Sequence, residues 1–272
     1  APVLLDLPDP LYTDWTEDLW DKDAVNRKLV TSQGTSPCKT YCPAHISVQG
    51  YIRKAREGKY DEALKVIKRD NPFPAVCGRI CPHDCENQCT RARIDESVAI
   101  DDIKKFIADK ELEEGNLYIP EVYDHWEEKV AVIGGGPAGL PAAYYLAVEG
   151  YPVTVFERNS APGGMLKFGI PSFRLEKDVI DAEISVLEKL GVEFRCNTNV
   201  GTDVTIPELR KEGYKAFYLS IGAQNARKLN VDGEDLDGVI SGIKFLREVN
   251  EGKLDTISGD TVVVGGGNVA VD

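Results

Sequence analysis

The sequence predicts an α/β protein with a small all-α domain ahead of its sheet. Three observations carry this. An apolar strand runs into a glycine-rich turn and a helix from Lys129 to Gly139 and beyond; six of the seven cysteines fall in two blocks before residue 90; and a second strand-to-glycine turn recurs at Thr261 to Ala270.

The whole chain sets the bounds. Its 272 residues suffice for about two domains, and 42% hydrophobic residues can build real cores. A net charge of −13 argues against a nucleic acid or an anionic membrane as partner, because both need a surplus of Lys and Arg. No apolar run reaches eighteen residues and the N-terminus does not resemble a signal peptide, so a soluble, cytoplasmic protein is expected. In a reducing compartment clustered cysteines more often bind metal than form disulfides.

Taken in order, residues 1–30 are acidic and aromatic (Tyr12, Trp15, Trp20) without periodicity, and read as an arm lying on another surface. The first block, Cys38-K-T-Y-Cys42-Pro43, comes next. Ser47 is placed to cap a helix with Val48, Tyr51, Ile52 and Ala55 on one face. A second helix is expected over Tyr60 to Arg69, with Leu64 and Ile67 inward, ended by Asn71-Pro72 and Pro74.

The second block places Cys77, Cys81, Cys85 and Cys89 at four-residue steps. One continuous helix would make these a buried stripe, but Gly78 and Pro82 interrupt it, so the run reads as a loop wound about a ligand. Two of the cysteines precede proline, a pattern that suits iron–sulfur ligation. Zinc with His45 or His83 and plain buried thiols are the alternatives. A helix from Val98 to about Lys110, with Ile100, Ile103, Phe106 and Ile107 at helical spacing, closes this part. A charged, turn-rich connector follows to Glu128.

Val130 to Ile133 have the length and branching of a strand buried on both faces. They lead into Gly134-x-Gly136-x-x-Gly139. In a Rossmann-like dinucleotide fold these glycines allow a tight turn, close approach of a pyrophosphate, and close packing of helix on strand. The anion then sits at the helix N-terminus. A helix is expected from Pro137 to about Glu149 with Ala142, Tyr145 and Leu146 on one face, and with Pro141 costing a bond or a kink. Strand Val153 to Phe156 ends in Glu157, 23 residues after Gly134, close to the spacing at which an acid reaches a ribose hydroxyl.

The loop Pro162-Gly163-Gly164-M-L-K-F-Gly169-Ile170-Pro171, with Arg174 after it, suggests backbone held close to a bulky planar ligand. An amphipathic helix over Asp178 to Leu190 (Val179, Ile180, Ile184, Leu187), a strand Val192 to Arg195 and a buried strand Ala216 to Ile221 complete a doubly wound domain, with Cys196 as a small buried hydrophobe. Thr261 to Val264 then runs into Gly265-x-Gly267-x-x-Ala270, a second dinucleotide signature. Its helix has too few residues to be stable alone, so a fragment with an incomplete second site is expected.

Together the P-C-K-T-Y-C-P-A-H, V-C-G-R-I-C-P, V-I-G-G-G-P-A-G-L, P-G-G-M-L-K-F-G-I-P and V-V-G-G-G-N-V-A stretches resemble one family, from about Lys28 to the end. It comprises the NADPH-dependent glutamate synthase small subunit, the N-terminal half of dihydropyrimidine dehydrogenase, and the large subunit of the ferredoxin-dependent NADH:NADP transhydrogenase. The resemblance implies a helical domain with [4Fe-4S] clusters over 1–125, an FAD domain over 126–258, and the start of an NAD(P)H domain over 259–272. It implies that Gly134, Gly136, Pro137, Ala138 and Gly139 hold the FAD pyrophosphate and Glu157, with Arg158 beside it, the ribose. Gly164, Met165, Leu166, Gly169 and Arg174 would lie along the flavin and Val200 near the adenine. Gly267, Asn268, Val269 and Ala270 would meet the NAD(P)H pyrophosphate.

The family pattern assigns Cys42, Cys81 and Cys85 to one cluster, and Cys38 and Cys89 to another. Val30 and Gln33 stand where two further cysteines usually occur, so one cluster is expected and the second lacks two ligands. Cys77 is a replacement ligand or a bystander. The implied chemistry is hydride transfer from NAD(P)H to FAD and one-electron transfer to iron–sulfur, delivered to an acceptor subunit or domain, with no side-chain catalyst. A rival from another class is a docking subunit with structural zinc and an empty nucleotide fold. Oligomeric state and substrate are not written in the sequence.

Overall fold

The computed structural model describes residues 36–272. The aromatic arm, Val30 and Gln33 lie outside the described residues. In chain order the elements are helices α1 (Pro37–Thr40), α2 (Val48–Arg56), α3 (Tyr60–Lys68), α4 (Pro74–Ile80), α5 (Asp84–Asn87) and α6 (Ile100–Glu114), strand β1 (Lys129–Ile133), α7 (Gly139–Val148), β2 (Val153–Phe156), α8 (Met165–Phe168), α9 (Lys177–Lys189), β3 (Glu193–Arg195), α10 (Ile206–Lys211), β4 (Tyr214–Leu219), α11 (Gly242–Asn250) and α12 (Asn268–Val271). Among the described residues no helix is long and apolar enough to cross a membrane.

Contacts divide the described chain into two compact units. One holds residues 36–70 and Pro82–Ile103; the other holds Asn71–Cys81 and Lys104–Asp272. The units therefore interleave in sequence, which a reading of linear segments does not show.

In the first unit α2 packs on α3, burying Val48 and Tyr51 from one and Ala63, Leu64 and Ile67 from the other. Ser47 stands at the N-cap of α2 but makes no capping hydrogen bond, contrary to expectation. The stretch from Cys77 to Cys89 is not one loop. Pro74, whose fixed φ suits the first helical position, opens α4, and Cys77 lies inside that helix. The break comes at Cys81-Pro82, and α5 restarts after His83, whose φ of 61° is left-handed.

In the second unit the sheet order is β3-β2-β1-β4, all parallel, with Val130 paired to Val153 and to Ala216. The residues of β1 from Val130 onward and all of β2 are buried, as expected for strands covered on both faces. β4 differs: of its residues only Tyr214 is buried, because among the described residues it pairs on one side alone. Thr261 to Val264, expected as a strand, forms none and stands exposed. Strand character needs a pairing partner as well as β-branched residues.

α7 begins at Gly139, two residues later than expected, so Pro141 falls in the first turn, where N–H groups have no acceptor within the helix, and costs nothing. Its buried face is Leu140, Ala143, Tyr144, Ala147 and Val148, while Tyr145 is exposed. The helix is apolar nearly all round, so periodicity does not select a face. α9 buries the expected Val179, Ile180, Ile184 and Leu187, and Glu183 with them.

The Tyr214 hydroxyl donates to Thr154 Oγ1 at 2.9 Å, a buried bond from β4 to β2 across β1. Tyr214→Phe is expected to lower stability by about 1 kcal/mol, the net worth of a typical internal hydrogen bond, measured by urea denaturation.

Candidate functional site

A crevice of about 610 Å³ opens at the carboxyl ends of β1, β2 and β4. β1 has β2 on one side and β4 on the other, so this is the point where the chain order reverses, the place where open parallel sheets bind ligands. Three segments supply most of its walls: Ile133, Gly134, Gly136, Pro137 and Ala138 after β1; Glu157 and Arg158 after β2; Ser220 to Asn225 after β4. Phe156, Gly164, Met165, Thr198, Asn199 and Val200 complete it.

The turn after β1 is built of backbone packed on backbone. Gly134 has φ +105°, and a Cβ there would stand 2.3 Å from the Ser220 carbonyl oxygen. A Cβ on Gly139 would meet the Gly134 oxygen at 1.9 Å. Gly163 donates its N–H to Gly135 O at 2.7 Å, and a Cβ on Gly164 would lie 2.8 Å from the Gly136 Cα. The two glycine loops thus lock together. Gly136 is different: its backbone lines the crevice, and the nearest atom to a Cβ there would be 3.8 Å away.

Glu157 is 4% exposed and braces this turn. Its Oε2 accepts the Gly135 N–H at 2.8 Å; its Oε1 accepts the Asn159 N–H at 2.8 Å and Nδ2 at 2.7 Å. Ser220 adds a second brace, donating from Oγ to Gly134 O at 2.9 Å. Sequence reasoning passed over Ser220, which lies far along the chain in no motif. Arg158 donates to Gln224 Oε1 at 2.5 Å across the mouth of the crevice.

Leu166, Gly169 and Arg174 do not line the crevice. Leu166 is in the core, a Cβ on Gly169 would strike Met165, and Arg174 pairs with Asp272 at 2.5 Å. Gly267 to Ala270 are also outside it; Asn268–Val271 packs as α12 on α11. Cys196 is half-buried, and burial raises its thiol pKa above the ordinary value.

In the first unit Cys38, Cys42 and Cys85 lie in the surroundings of Tyr51. α1, carrying Cys38, packs on α5, carrying Cys85. Burial pushes the Tyr51 phenol well above its ordinary range, and the charges of Cys85, Asp101, Cys42 and Cys38 add to the shift. Cys89 is held below its ordinary pKa, first by a backbone hydrogen bond from Val98 and then by those from Arg91 and Ala92. Of the histidines weighed as zinc ligands, His83 has both ring nitrogens against carboxylates and His45 has one ring nitrogen against a backbone carbonyl. His83 lies between Glu86 Oε2 at 3.3 Å and Asp101 Oδ2 at 3.2 Å, and His45 Nδ1 lies 3.2 Å from the Lys39 carbonyl. In the second unit Cys77 Sγ is 3.0 Å from Lys104 Nζ, and the Cys81 N–H donates to Cys77 O.

Residues 128–272, more than half the chain, match the model of the pyridine nucleotide-disulphide oxidoreductase family. The chain belongs to that family. Ahead of this oxidoreductase region, residues 26–116 match the dihydropyrimidine dehydrogenase domain II model, described as a 4Fe-4S cluster domain. The chain is 42% identical over 262 residues to the β subunit of NADP(+)-dependent formate dehydrogenase from Moorella thermoacetica, spanning 88% of this chain and 37% of the relative. It is 40% identical over 243 residues to the β subunit of NADPH-Fe(3+) oxidoreductase from Geobacter sulfurreducens (88% and 36%). It is 36% identical over 254 residues to the glutamate synthase [NADPH] small chain of Escherichia coli (89% and 54%). The resemblance carried by the sequence motifs therefore holds. The chain spans between about a third and a half of these relatives' lengths.

The glycines can be told apart by stability. Gly139→Ala is expected to destabilise the fold by more than about 3 kcal/mol, because neither backbone can yield. Gly136→Ala is expected to stay within about 1 kcal/mol of the parent, because its side has room. Thermal and urea unfolding of the two variants checks this.

Proposed function

We propose that this chain is the FAD- and iron–sulfur-binding part of an oxidoreductase that takes electrons from NAD(P)H and hands them to an acceptor subunit or domain in the cytoplasm. The observation that carries the FAD assignment is Gly136. The protein leaves space for a side chain there, yet keeps bare backbone facing an open crevice. A pyrophosphate is the ligand that such backbone admits. Beside it, the N-terminus of α7 has no side-chain cap, so its N–H groups and dipole suit an anion.

Glu157 supports the same reading. Each carboxylate oxygen has two acceptor sites, and Oε2 accepts one bond from Gly135. It therefore keeps capacity for a ribose hydroxyl while it fixes the turn. Gly164 and Met165, which line the crevice, would face the bound flavin, and Val200 the adenine end. Gly267, Asn268, Val269 and Ala270 belong in the proposal as the pyrophosphate turn of an NAD(P)H site over 259–272, after the FAD part over 126–258.

For the cysteines, soft thiolates suit iron–sulfur. The backbone N–H groups directed at Cys89 stabilise a thiolate. Both ring nitrogens of His83 face carboxylates, which speaks against His83 as a zinc ligand. We assign Cys38, Cys42, Cys77, Cys81, Cys85 and Cys89, in the part spanning 1–125, as the thiols from which [4Fe-4S] ligands are drawn. Held by the glycine turn and the cysteines, FAD and iron–sulfur would supply hydride acceptance from NAD(P)H and one-electron delivery. The chain's own residues bind and orient: the glycine turn positions a diphosphate, and Glu157 and Ser220 keep that turn from moving. The relatives named as β subunits or small chains are the reason to assign a partner subunit.

Gly136→Ala is expected to retain its fold and to be purified with less than about a tenth of the parent's FAD, read by absorbance after acid release. Equal flavin content would refute the crevice as the FAD site. Cys85→Ser is expected to lose iron and acid-labile sulfide while keeping FAD. Full iron in that variant would remove Cys85 from the ligand set.

A further inference from the structure

Glu183 is the most deeply buried carboxylate of the flavin-bearing unit, 1% exposed, and neither the crevice nor the sequence motifs account for it. It sits in α9 at the same inward register as Ile180, Ile184 and Leu187. Burying a charge is costly unless it is met by charge or hydrogen bonds, so its partners define its purpose. Oε1 accepts the Ala75 N–H at 2.8 Å and Oε2 the Val76 N–H at 3.0 Å.

Those two amides complete the N-terminus of α4. Phe73 at the N-cap supplies no side-chain bond, Pro74 has no N–H, and Cys77 N–H reaches Phe73 O at 3.0 Å. Ala75 and Val76 are the remaining donors of the first turn, and both end on one carboxylate more than 100 residues away. The charge also opposes the positive end of the helix. The other end of α4 is pinned as well: Arg79 donates to Glu176 at 2.6 Å and to Asp109 at 2.7 Å. At its middle, a Cβ on Gly78 would stand 2.7 Å from Lys105 Cβ. α4 carries Cys77, and Cys81 follows as its C-cap. α9 meanwhile packs on α7, whose N-terminus lies at the crevice, and on α8.

We propose that Glu183 is the positioning residue that fixes the Cys77–Cys81 segment to the flavin-binding unit, holding these two thiols in set register with the crevice. The proposal rests on the iron–sulfur reading for its spectroscopic consequence, but its structural content stands on the hydrogen bonds alone.

The test is Glu183→Gln in the full chain, with Glu183→Asp as the conservative comparison. A glutamine turns one of the two acceptors into a donor facing an N–H, so one amide of α4 is left unpaired. In the protein stripped of iron, hydrogen exchange at Ala75 and Val76 is expected to quicken about tenfold or more in Glu183→Gln, with alkylation of Cys77 and Cys81 rising in step. Exchange at Gly134–Gly139 should not change. Glu183→Asp should recover part of the protection. In the iron-loaded protein, the reduction potential and electron paramagnetic resonance spectrum of the cluster should shift at unchanged FAD content, which a loss of bulk stability alone would not produce. If Glu183→Gln fails to fold, Glu183→Asp alone carries the exchange and spectroscopic comparison with the parent. Unchanged exchange at Ala75 and Val76 would overturn the proposal. A faster exchange accompanied by an unaltered cluster signal would uphold the hold on α4 and remove Cys77 and Cys81 from the cluster's ligand set. If the parent chain itself holds no iron, the iron–sulfur reading fails, and the exchange arm alone still decides whether Glu183 positions α4.

Discussion

One carboxylate holds together what the rest of the site depends on. Glu157 takes the N–H of Gly135 on one oxygen and two N–H groups of Asn159 on the other. Without it the turn after β1 would keep a buried donor unpaired, which costs more than a hydrogen bond between neutral groups returns. The turn can be that tight because Gly139 lets the first residue of α7 rest on the Gly134 carbonyl. Strand, turn and helix are thus joined at van der Waals distance, and the outer face of the turn, at Gly136, is left bare.

The cysteines follow a different logic. Those of the first unit stand near the buried Tyr51 or, for Cys89, among backbone N–H groups. Cys77 and Cys81 belong with the sheet-bearing unit, through helix α4 and its contacts to α9. A sequence block that looks like one motif is therefore divided by the fold at Cys81-Pro82. The division has a cause in composition. Pro82 ends one helix, and the left-handed His83 starts the next.

What was legible in the sequence was what local geometry dictates. β1, β2, the glycine turn and Glu157 could be read because strand length, glycine spacing and the position of the acid all lie within one βαβ unit. α9 could be read because its apolar stripe is narrow, and Glu183 at an inward position was the available sign of a buried charge needing partners. The buried face of α7 was not legible, since a helix apolar on every side carries no directional signal. Thr261 to Val264 has the residues of a strand and does not form one, because pairing is a property of neighbours in space. Ser220 escaped notice for a related reason: its hydroxyl bonds a carbonyl 86 positions earlier, and nothing in its own vicinity announces that.

The central claim is that bare backbone at the end of β1 receives a diphosphate. The most direct measurement is a titration of FAD into the flavin-free chain, followed by the amide resonances of the glycines. The account requires the signals of Gly134, Gly135, Gly136 and Gly139 to shift together and saturate with those of Glu157 and Val200. Saturable binding that left these amides unmoved while perturbing others would contradict it.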